Sequence, residues 1–393
     1  MAAVLAAFLI IGLALPVLPL HVRNDLGFGT FVVGLVAGAQ FAASVASRIW
    51  AGSFSDKHGA KRSVLAGLIA AAASGLLYLL SLAFLGAPVI SVAILLFGRA
   101  VLGGAESFII TGAMSWGLAL FDKQHAGKVI AWVGTAMFAA MALGGPIGTV
   151  LFTPYGFAAI ALATTLLPLI VLMALLGLPG VPPLPHKAGG DLKTITRAVW
   201  MPGLGAALSS IGYCSILAFS SLFFADQHWR PIWLPFTAFG VALIVARLIV
   251  GHLPDRYGGA RVALIFVLVQ SAGLAFMAFA QNVAIASAGA ALAGVGYSLV
   301  YPGLGAEVVR ETSPENRGLA MGIYTVFLDV AMAIGSPVLG WIAAEHGLNS
   351  VFTASAVVVL CTAGIALKLL LQRPTDWMKQ VADQEYLAPM EKD

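Results

Sequence analysis

Three charged side chains stand deep inside long apolar stretches of this sequence, where a charge needs a partner or a task. They are Arg99 and Glu106 in one stretch and Asp329 in another. Charged residues buried in membrane helices pair with each other or mark a path for protons or substrate. Burial and a nearby cation shift the pKa of a carboxylate in opposite directions, which is the tuning that a proton carrier needs.

Arg99 and Glu106 are seven residues apart, which is two turns on the same face of a helix. Both can therefore point into one cavity, and we expect Glu106 or Asp329 to exchange protons for a substrate. The alternative for either acid is a permanent pair with Arg99 or Arg48.

A second set of polar residues places hydroxyl groups in the apolar stretches. Hydroxyl groups orient a ligand without adding net charge. The candidate substrate-binding residues are Ser107, Thr111, Tyr213, Tyr297 and Tyr301. Tyrosine in a membrane helix also packs or lies at the membrane interface, and this alternative stays open for each. Opposite charges with several hydroxyls favour a small polar or zwitterionic organic substrate.

The elements that position these residues are transmembrane helices. The chain has 60% hydrophobic and only 10% charged residues, too apolar a balance for a soluble domain. Most apolar runs reach the roughly 20 residues that span a bilayer. We predict an all-α membrane protein with twelve spans, at about 2–20, 30–54, 63–85, 88–118, 127–153, 156–179, 199–224, 231–253, 262–281, 284–308, 317–343 and 349–371.

The distribution of basic residues predicts the orientation. Sixteen of the 21 lysines and arginines lie in every second hinge and in the tail, whereas only Arg23 and Arg230 lie in the other hinges. Short basic loops stay in the cytoplasm. We therefore expect a multi-pass protein of the bacterial cytoplasmic (inner) membrane, with both termini in the cytoplasm and a first helix that is retained. Topology explains these scattered charges, so they give no support to nucleic-acid binding, although some can meet membrane lipids.

Several other kinds of site find no support in the sequence. Cys214 and Cys361 fall inside predicted spans, which argues against a disulfide. The seven histidines lack metal-ligand spacing. No nucleotide-binding loop and no catalytic constellation is present, so we expect neither a metal nor a cofactor, neither an enzyme nor an ATP-driven pump.

The chain repeats itself at two constant offsets. The first set recurs after 199 residues: Arg48, Gly52, Asp56, Gly59 and Arg62 return as Arg247, Gly251, Asp255, Gly258 and Arg261. The second set recurs after 191 residues: Gly144, Pro146, Tyr155 and Gly156 face Gly335, Pro337, His346 and Gly347. Six helices are thus followed by six similar helices.

The repeat predicts the domain organisation. Two six-helix bundles, 1–179 and 199–372, flank a Pro- and Gly-rich cytoplasmic linker at 180–198, and a cytoplasmic tail covers 373–393. Two such halves with the same orientation place a substrate cavity between them near the membrane midplane. The acids are not repeated, because Tyr297 aligns with Glu106 and Phe138 aligns with Asp329.

The hinge Gly52-Ser-Phe-Ser-Asp56-Lys-His-Gly59-Ala-Lys61-Arg62 resembles the signature between helices 2 and 3 of the major facilitator superfamily. The segment Arg99-Ala-Val-Leu-Gly103 is similar to the fourth-helix motif of that family. Gly144-Gly145-Pro146-Ile-Gly148 is similar to the fifth-helix motif of its drug and metabolite:proton antiporters, although Met141 and Thr149 stand where glycines are usual. Arg48 and Arg247 suggest the bacterial arabinose-efflux-like branch.

The resemblance implies a gate built from the repeated residues. We expect Asp56 and Asp255 to accept hydrogen bonds from a neighbouring helix N-terminus and so latch the cytoplasmic face. In the family the first such hinge stabilises the outward-facing state, and we expect this of Asp56. The gating candidates are Arg48, Gly52, Asp56, Gly59, Arg62, Arg247, Gly251, Asp255, Gly258, Arg261, Gly145 and Pro146. The alternatives are that the hinges are basic only to set topology, and that Arg48 and Arg247 snorkel or are purely structural.

Together these features predict a monomeric secondary transporter that works by alternating access. The resemblance favours proton-coupled export of a small polar or zwitterionic molecule or drug. The alternative is a symporter that imports a sugar or an organic acid with protons. A sensor with the fold of a transporter stays open as well.

Overall fold

The computed structural model describes residues 1–120, 126–180, 192–313 and 316–387, and within these ranges it contains helices and no strands. The helices of the first half are α1 (Ala2–Ala14), α2 (Leu18–Leu20), a π-helical turn (His21–Asp25), α3 (Thr30–His58), α4 (Ala60–Leu82), α5 (Pro88–Leu120) and α6 (Ala126–Leu176). Those of the second half are α7 (Leu192–Asp226), α8 (Leu234–Val250), α9 (Leu253–Tyr257), α10 (Gly259–Ala278), α11 (Val283–Glu311), α12 (Arg317–His346) and α13 (Leu348–Leu387).

Twelve apolar crossings are present in the described part of the chain. Ten helical stretches are long and apolar enough to span a membrane, and one of them, Trp132–Leu176 of α6, covers 45 residues. Because α6 bends at Gly156 and reverses there, it supplies two crossings, which we call its first arm (before Gly156) and second arm (after it). The shorter apolar helix α8 supplies the twelfth. The predicted fold class is confirmed.

Four glycines with positive φ angles separate consecutive helices. Gly59 (φ 91°) lies between α3 and α4, and Gly258 (φ 88°) lies between α9 and α10. Gly156 (φ 64°) divides α6, and Gly347 (φ 82°) lies between α12 and α13. Residues with a side chain rarely adopt this region, so each reversal needs glycine. The backbone therefore repeats at both offsets found in the sequence.

Two helices extend beyond the predicted spans. Helix α7 begins at Leu192, inside the predicted linker 180–198, and residues 181–191 of that linker lie outside the described residues. Helix α13 continues to Leu387, past the predicted start of the tail at 373. Hydropathy marks where a segment leaves the membrane, whereas a helix continues until a residue breaks it.

The two halves pack closely through α3 and α12. We call the end of the bundle where α3, α5 and α8 begin the Arg23 end, and the opposite end the Asp56 end. Near the Arg23 end, the Thr30 hydroxyl donates to the Gly340 carbonyl at 2.8 Å. A Cβ on Gly34 would overlap the Ser336 carbonyl, and one on Gly38 would lie 2.8 Å from the Ala333 carbonyl oxygen. Small residues let these helix backbones touch, as membrane helix pairs do.

The first arm of α6 and α8 form a second contact between the halves. The Thr237 hydroxyl donates to the Ala142 carbonyl at 3.4 Å, and a Cβ on Gly145 would lie 2.6 Å from the Phe236 ring. At the rim, Arg23 and the Asp226 carboxylate of α7 approach to 3.3 Å. These contacts close the bundle at the Arg23 end.

Candidate functional site

An ion pair joins the two halves in the middle of the bundle. Arg48 of α3 donates from Nε to Oδ2 of Asp329 on α12 at 2.9 Å, and its Nη2 bonds to the same oxygen. The side chains are only 21% and 8% exposed, so the pair is largely withdrawn from solvent. Of the two roles considered for Asp329, this geometry corresponds to the pair with Arg48.

Breaking this pair from one side leaves a buried charge, so we expect Asp329→Leu to lower the free energy of unfolding by about 3 kcal/mol. Adding Arg48→Met removes the second charge and should restore most of that loss. Thermal unfolding of the two single variants and the double variant in detergent measures the coupling. Independent, additive losses would contradict a cross-half ion pair.

Glu106 of α5 has an amide as its hydrogen-bond partner. Gln40 of α3 is only 2% exposed, and its Nε2 donates to Oε2 of Glu106 at 2.8 Å. The carbonyl oxygen Oε1 of Gln40 is buried and has no hydrogen-bond partner among the described residues. An amide offers both a donor and an acceptor, so Gln40 can serve either protonation state of Glu106.

Two serines connect Glu106's helix to the ion pair. The hydroxyls of Ser44 (α3) and Ser107 (α5) are 3.2 Å apart, and Arg48 Nη2 donates to Ser44 Oγ at 3.4 Å. Ser107 is 1% exposed, so in this conformation it joins α5 to α3 instead of lining an open surface. Thr111, the next candidate on α5, is half-buried and lies beyond Glu106 toward the Asp56 end.

Arg99 makes no hydrogen bond to Glu106 among the described residues. Its side chain is fully buried, and its three guanidinium nitrogens have no hydrogen-bond partner among the described residues. It lines a small cavity toward the Arg23 end, together with Leu15, Val33 and Leu217. Seven residues return a helix to the same face but advance it by about 10 Å along the axis. The shared face is therefore compatible with an electrostatic influence of Arg99 on Glu106, without a direct hydrogen bond in this conformation.

A fully buried arginine without partners destabilises the conformation that buries it. We expect Arg99→Met to raise the free energy of unfolding by at least about 1 kcal/mol, because methionine fills similar space without a charge. Thermal unfolding in detergent is the measurement, and Arg99→Lys is the control that retains the charge. A loss of stability in the methionine variant alone would contradict this account.

The predicted tyrosines form a layer in the second half. Tyr213 of α7 stacks on Tyr297 of α11, with ring centroids 4.8 Å apart and planes 3° apart. Tyr213 Oη donates to Met141 Sδ of α6 at 3.5 Å, so this layer also reaches the first half. The hydroxyl of Tyr301 lies 3.3 Å from the hydroxyl of Thr325. Tyr213 and Tyr301 are half-buried, whereas Tyr297 is buried.

Arg247 of α8 lies on the second contact between the halves. Its Cζ is 4.8 Å from the ring centroid of Phe138 on the first arm of α6, and its Nη2 donates to the Ser298 carbonyl at 3.2 Å. No carboxylate in the described part of the chain bonds to it. The gating candidate Gly145 lies on the same arm against Phe236, and Pro146 follows it in the helix.

The hinge aspartates do not form latches in this conformation. Asp56 and Asp255 are exposed, and the described residues provide no hydrogen-bond partner for either. Arg62 and Arg261 beside them are exposed as well.

Glu307 of α11 takes the position expected of a hinge aspartate. It is 2% exposed and accepts a hydrogen bond at 2.7 Å from the backbone N–H of Ala260, at the start of α10. It also pairs with Arg310 at 2.9 Å. A carboxylate on a neighbouring helix reaches the start of α10, whereas Asp255 lies on the short helix α9 before the turn and is exposed.

Gln40, Ser44 and Glu307 were not among the site residues predicted from the sequence. A signal for the first two exists, because Gln40, Ser44 and Arg48 are spaced by four and so form one polar stripe on an apolar helix. Glu307 has no comparable signal, since it lies near the predicted end of a span, where acids are common.

Comparisons with known proteins agree with this fold. The family model of the Major Facilitator Superfamily matches residues 1–236 and 231–389. An uncharacterized MFS-type transporter of Salmonella typhimurium is 40% identical over 371 residues, covering 94% of this chain and 95% of the relative. The crystal structure of a D-xylose–proton symporter has a TM-score of 0.76 at 14% identity and covers 93% of this chain and 95% of the symporter.

A bacterial homologue of the human lysosomal transporter Spinster, solved in an inward-facing and unoccupied conformation, gives a TM-score of 0.73 at 13% identity. It covers 93% of this chain and 94% of the homologue. At this identity both structures speak for the fold alone. With the family model and the Salmonella relative, however, the assignment is complete: this multi-pass membrane protein belongs to the Major Facilitator Superfamily of transporters.

Proposed function

We propose that the chain is a proton-coupled secondary transporter that exports a small polar or zwitterionic organic molecule. The observation that carries the proposal is the polar cluster between the halves, in which Glu106 bonds to Gln40 and Arg48 bonds to Asp329. Such groups are expensive inside a membrane and mark proton and substrate pathways. A cluster at the interface of two repeated halves is also where alternating access places the transported solute.

Glu106 is the proton carrier in this proposal. Its hydrogen-bond partner is a neutral amide whose carbonyl oxygen is unused, so a proton on Glu106 gains an acceptor when Gln40 turns its amide over. Asp329 instead accepts two hydrogen bonds from Arg48, which favour its charged form. Asp329 therefore acts as the cross-half lock, and Glu106 exchanges the proton.

The Arg23 end faces outside the cell in this scheme, because the basic hinges lie at the Asp56 end. Both termini are then cytoplasmic, and the conformation described is closed to the outside. Asp56 and Asp255 are exposed here because their latch belongs to the opposite, outward-facing state. The protein works as a monomer in the bacterial inner membrane.

Export is the proposed direction, since the glycine–proline motif with Gly145 and Pro146 resembles that of drug and metabolite antiporters. Arg48 and Arg247 support placing the chain in the arabinose-efflux-like branch. Gly145 contributes to the interface with α8, which is the position that a gate requires.

The test begins with metabolite profiles of cells that lack or overproduce the protein. An exporter depletes its substrate inside the cell and enriches it outside. Flux of that compound in proteoliposomes under an imposed pH gradient, with and without an uncoupler, then measures the coupling. Accumulation of the substrate inside the overproducing cells would favour the importing symporter. Flux that stays the same when the uncoupler is added would contradict proton coupling.

A further inference from the structure

The two repeated arginines meet different residues at equivalent positions. Arg48 and Arg247 are related by the offset of 199, and Phe138 and Asp329 are related by the offset of 191. Arg48 of the first half contacts Asp329 of the second half. By the same symmetry, Arg247 of the second half contacts Phe138 of the first half. One arginine therefore has a carboxylate partner, and the other has a ring in its place.

The guanidinium of Arg247 has unused hydrogen-bonding capacity. It carries five N–H groups, and the one bond found among the described residues goes from Nη2 to the Ser298 carbonyl. Its side chain is half-buried, so part of it stays accessible. Arg247 begins the last turn of α8, where a snorkelling side chain could leave the interior. It instead lies over Phe138 and bonds to α11, so its charge faces the interface between the halves.

The charges in the interior of the bundle are unbalanced toward the positive. Arg99 and Arg247 both lack a carboxylate partner among the described residues, whereas Glu106 is the one interior acid whose partner is not an arginine. Unpaired charges in a membrane interior are costly unless they have a function. A negatively charged ligand group would remove part of this imbalance.

We propose that Arg247 binds a carboxylate of the transported molecule, so that the substrate is a small organic acid or a zwitterion bound through its carboxylate. The substrate then supplies the group that Asp329 supplies at the equivalent position. Arginine binds carboxylates with two parallel charge-assisted hydrogen bonds, which suits a guanidinium with free N–H groups. The half-buried ring of Tyr213, which stacks on Tyr297, offers an apolar contact for the rest of the molecule. This inference rests on the proposed transport function.

The test uses three probes of similar shape and different charge: benzoate, benzamide and benzylamine. Each is titrated into the purified full-length protein in detergent, and the shift of the unfolding temperature is followed. We expect stabilisation by benzoate and none by the neutral or cationic probe. Equal shifts of the unfolding temperature with benzoate and benzamide would overturn the proposal. A larger shift with inorganic phosphate than with benzoate would overturn it as well.

Variants locate the binding. Arg247→Gln should weaken benzoate binding at least about tenfold, which is the loss expected for a charge-assisted hydrogen bond. Arg247→Lys should give an intermediate affinity. Arg317→Gln, which removes an exposed arginine at the start of α12, is the matched control and should bind benzoate normally.

A gain-of-carboxylate variant tests the symmetry directly and does not depend on the folding of Arg247→Gln. Phe138→Asp places a carboxylate where the repeat has Asp329, and it should abolish stabilisation by benzoate because Arg247 is then occupied. Unchanged benzoate binding in this variant would overturn the proposal. Glu106→Gln tests the two proposals independently. If this variant loses proton coupling but still binds benzoate, carboxylate binding at Arg247 does not depend on proton transfer by Glu106.

Discussion

Glu106→Gln is expected to reduce transport driven by a pH gradient to the rate of protein-free liposomes. Glutamine has the size of glutamate and still accepts the hydrogen bond from Gln40, but it cannot gain or lose a proton. Exchange of labelled for unlabelled substrate across the membrane needs no net proton movement, so it should continue. The measurement compares both activities in the same proteoliposomes.

The matched control for this variant is Glu345→Gln, which neutralises an exposed glutamate on α12 at the Arg23 end. It should leave both activities unchanged. Full proton-driven transport by Glu106→Gln would remove Glu106 from the mechanism and leave Asp329 as the acid to examine. Loss of exchange as well would mean that Glu106 has a structural or substrate-binding role.

The second large effect is expected at Gly34, where α3 touches α12. A Cβ at this position would overlap the Ser336 carbonyl, and backbone cannot move aside as a side chain tip does. We expect Gly34→Val to destabilise the conformation closed at the Arg23 end by about 1–3 kcal/mol or more. A bias of that size shifts a two-state equilibrium by about 5- to 150-fold toward the state that is open at this end.

A reporter cysteine measures this shift. The chain has two free cysteines, Cys214 and Cys361, and both can be replaced by serine. Ala37, which is buried on α3 one turn from Gly34, then becomes the single cysteine. Its labelling by a membrane-impermeant maleimide should be slow in the parent and fast in the Gly34→Val variant.

Gly364→Val is the control for the added volume, because a Cβ there would have no neighbour within 4 Å. In this control variant, the cysteine at position 37 should be labelled as slowly as in the parent. Slow labelling of the Gly34 variant, with the protein folded, would mean that the contact between α3 and α12 does not set the conformation.

The number and location of the membrane crossings were predicted well from the sequence, because they depend on local signals. Apolar runs of membrane length located the crossings, including the two that form α6. The glycines of the two repeats lie at the reversals, since a reversal within one residue requires a backbone conformation that glycine adopts readily. These signals are carried by single residues or single segments.

The site was predicted less completely, because it depends on which helices meet. Arg48 and Asp329 were both identified, yet their separation of 281 residues says nothing about their contact. The same limit applies to Arg99, whose surroundings come from α2 and the residues beside it, from α3 and from α7, and are not apparent from α5 alone. Local periodicity tells which face a residue occupies, whereas the partner on that face is a property of the assembled bundle.

The single-glycine reversals also restrict how the molecule can move. At Gly156 and Gly347 two long helices are joined by one residue, so their joined ends must move together, whereas the glycine lets the angle between them change. A shift of the first arm of α6 at Gly156 therefore also displaces the start of its second arm. A change in the angle between the two arms would have to occur at that glycine.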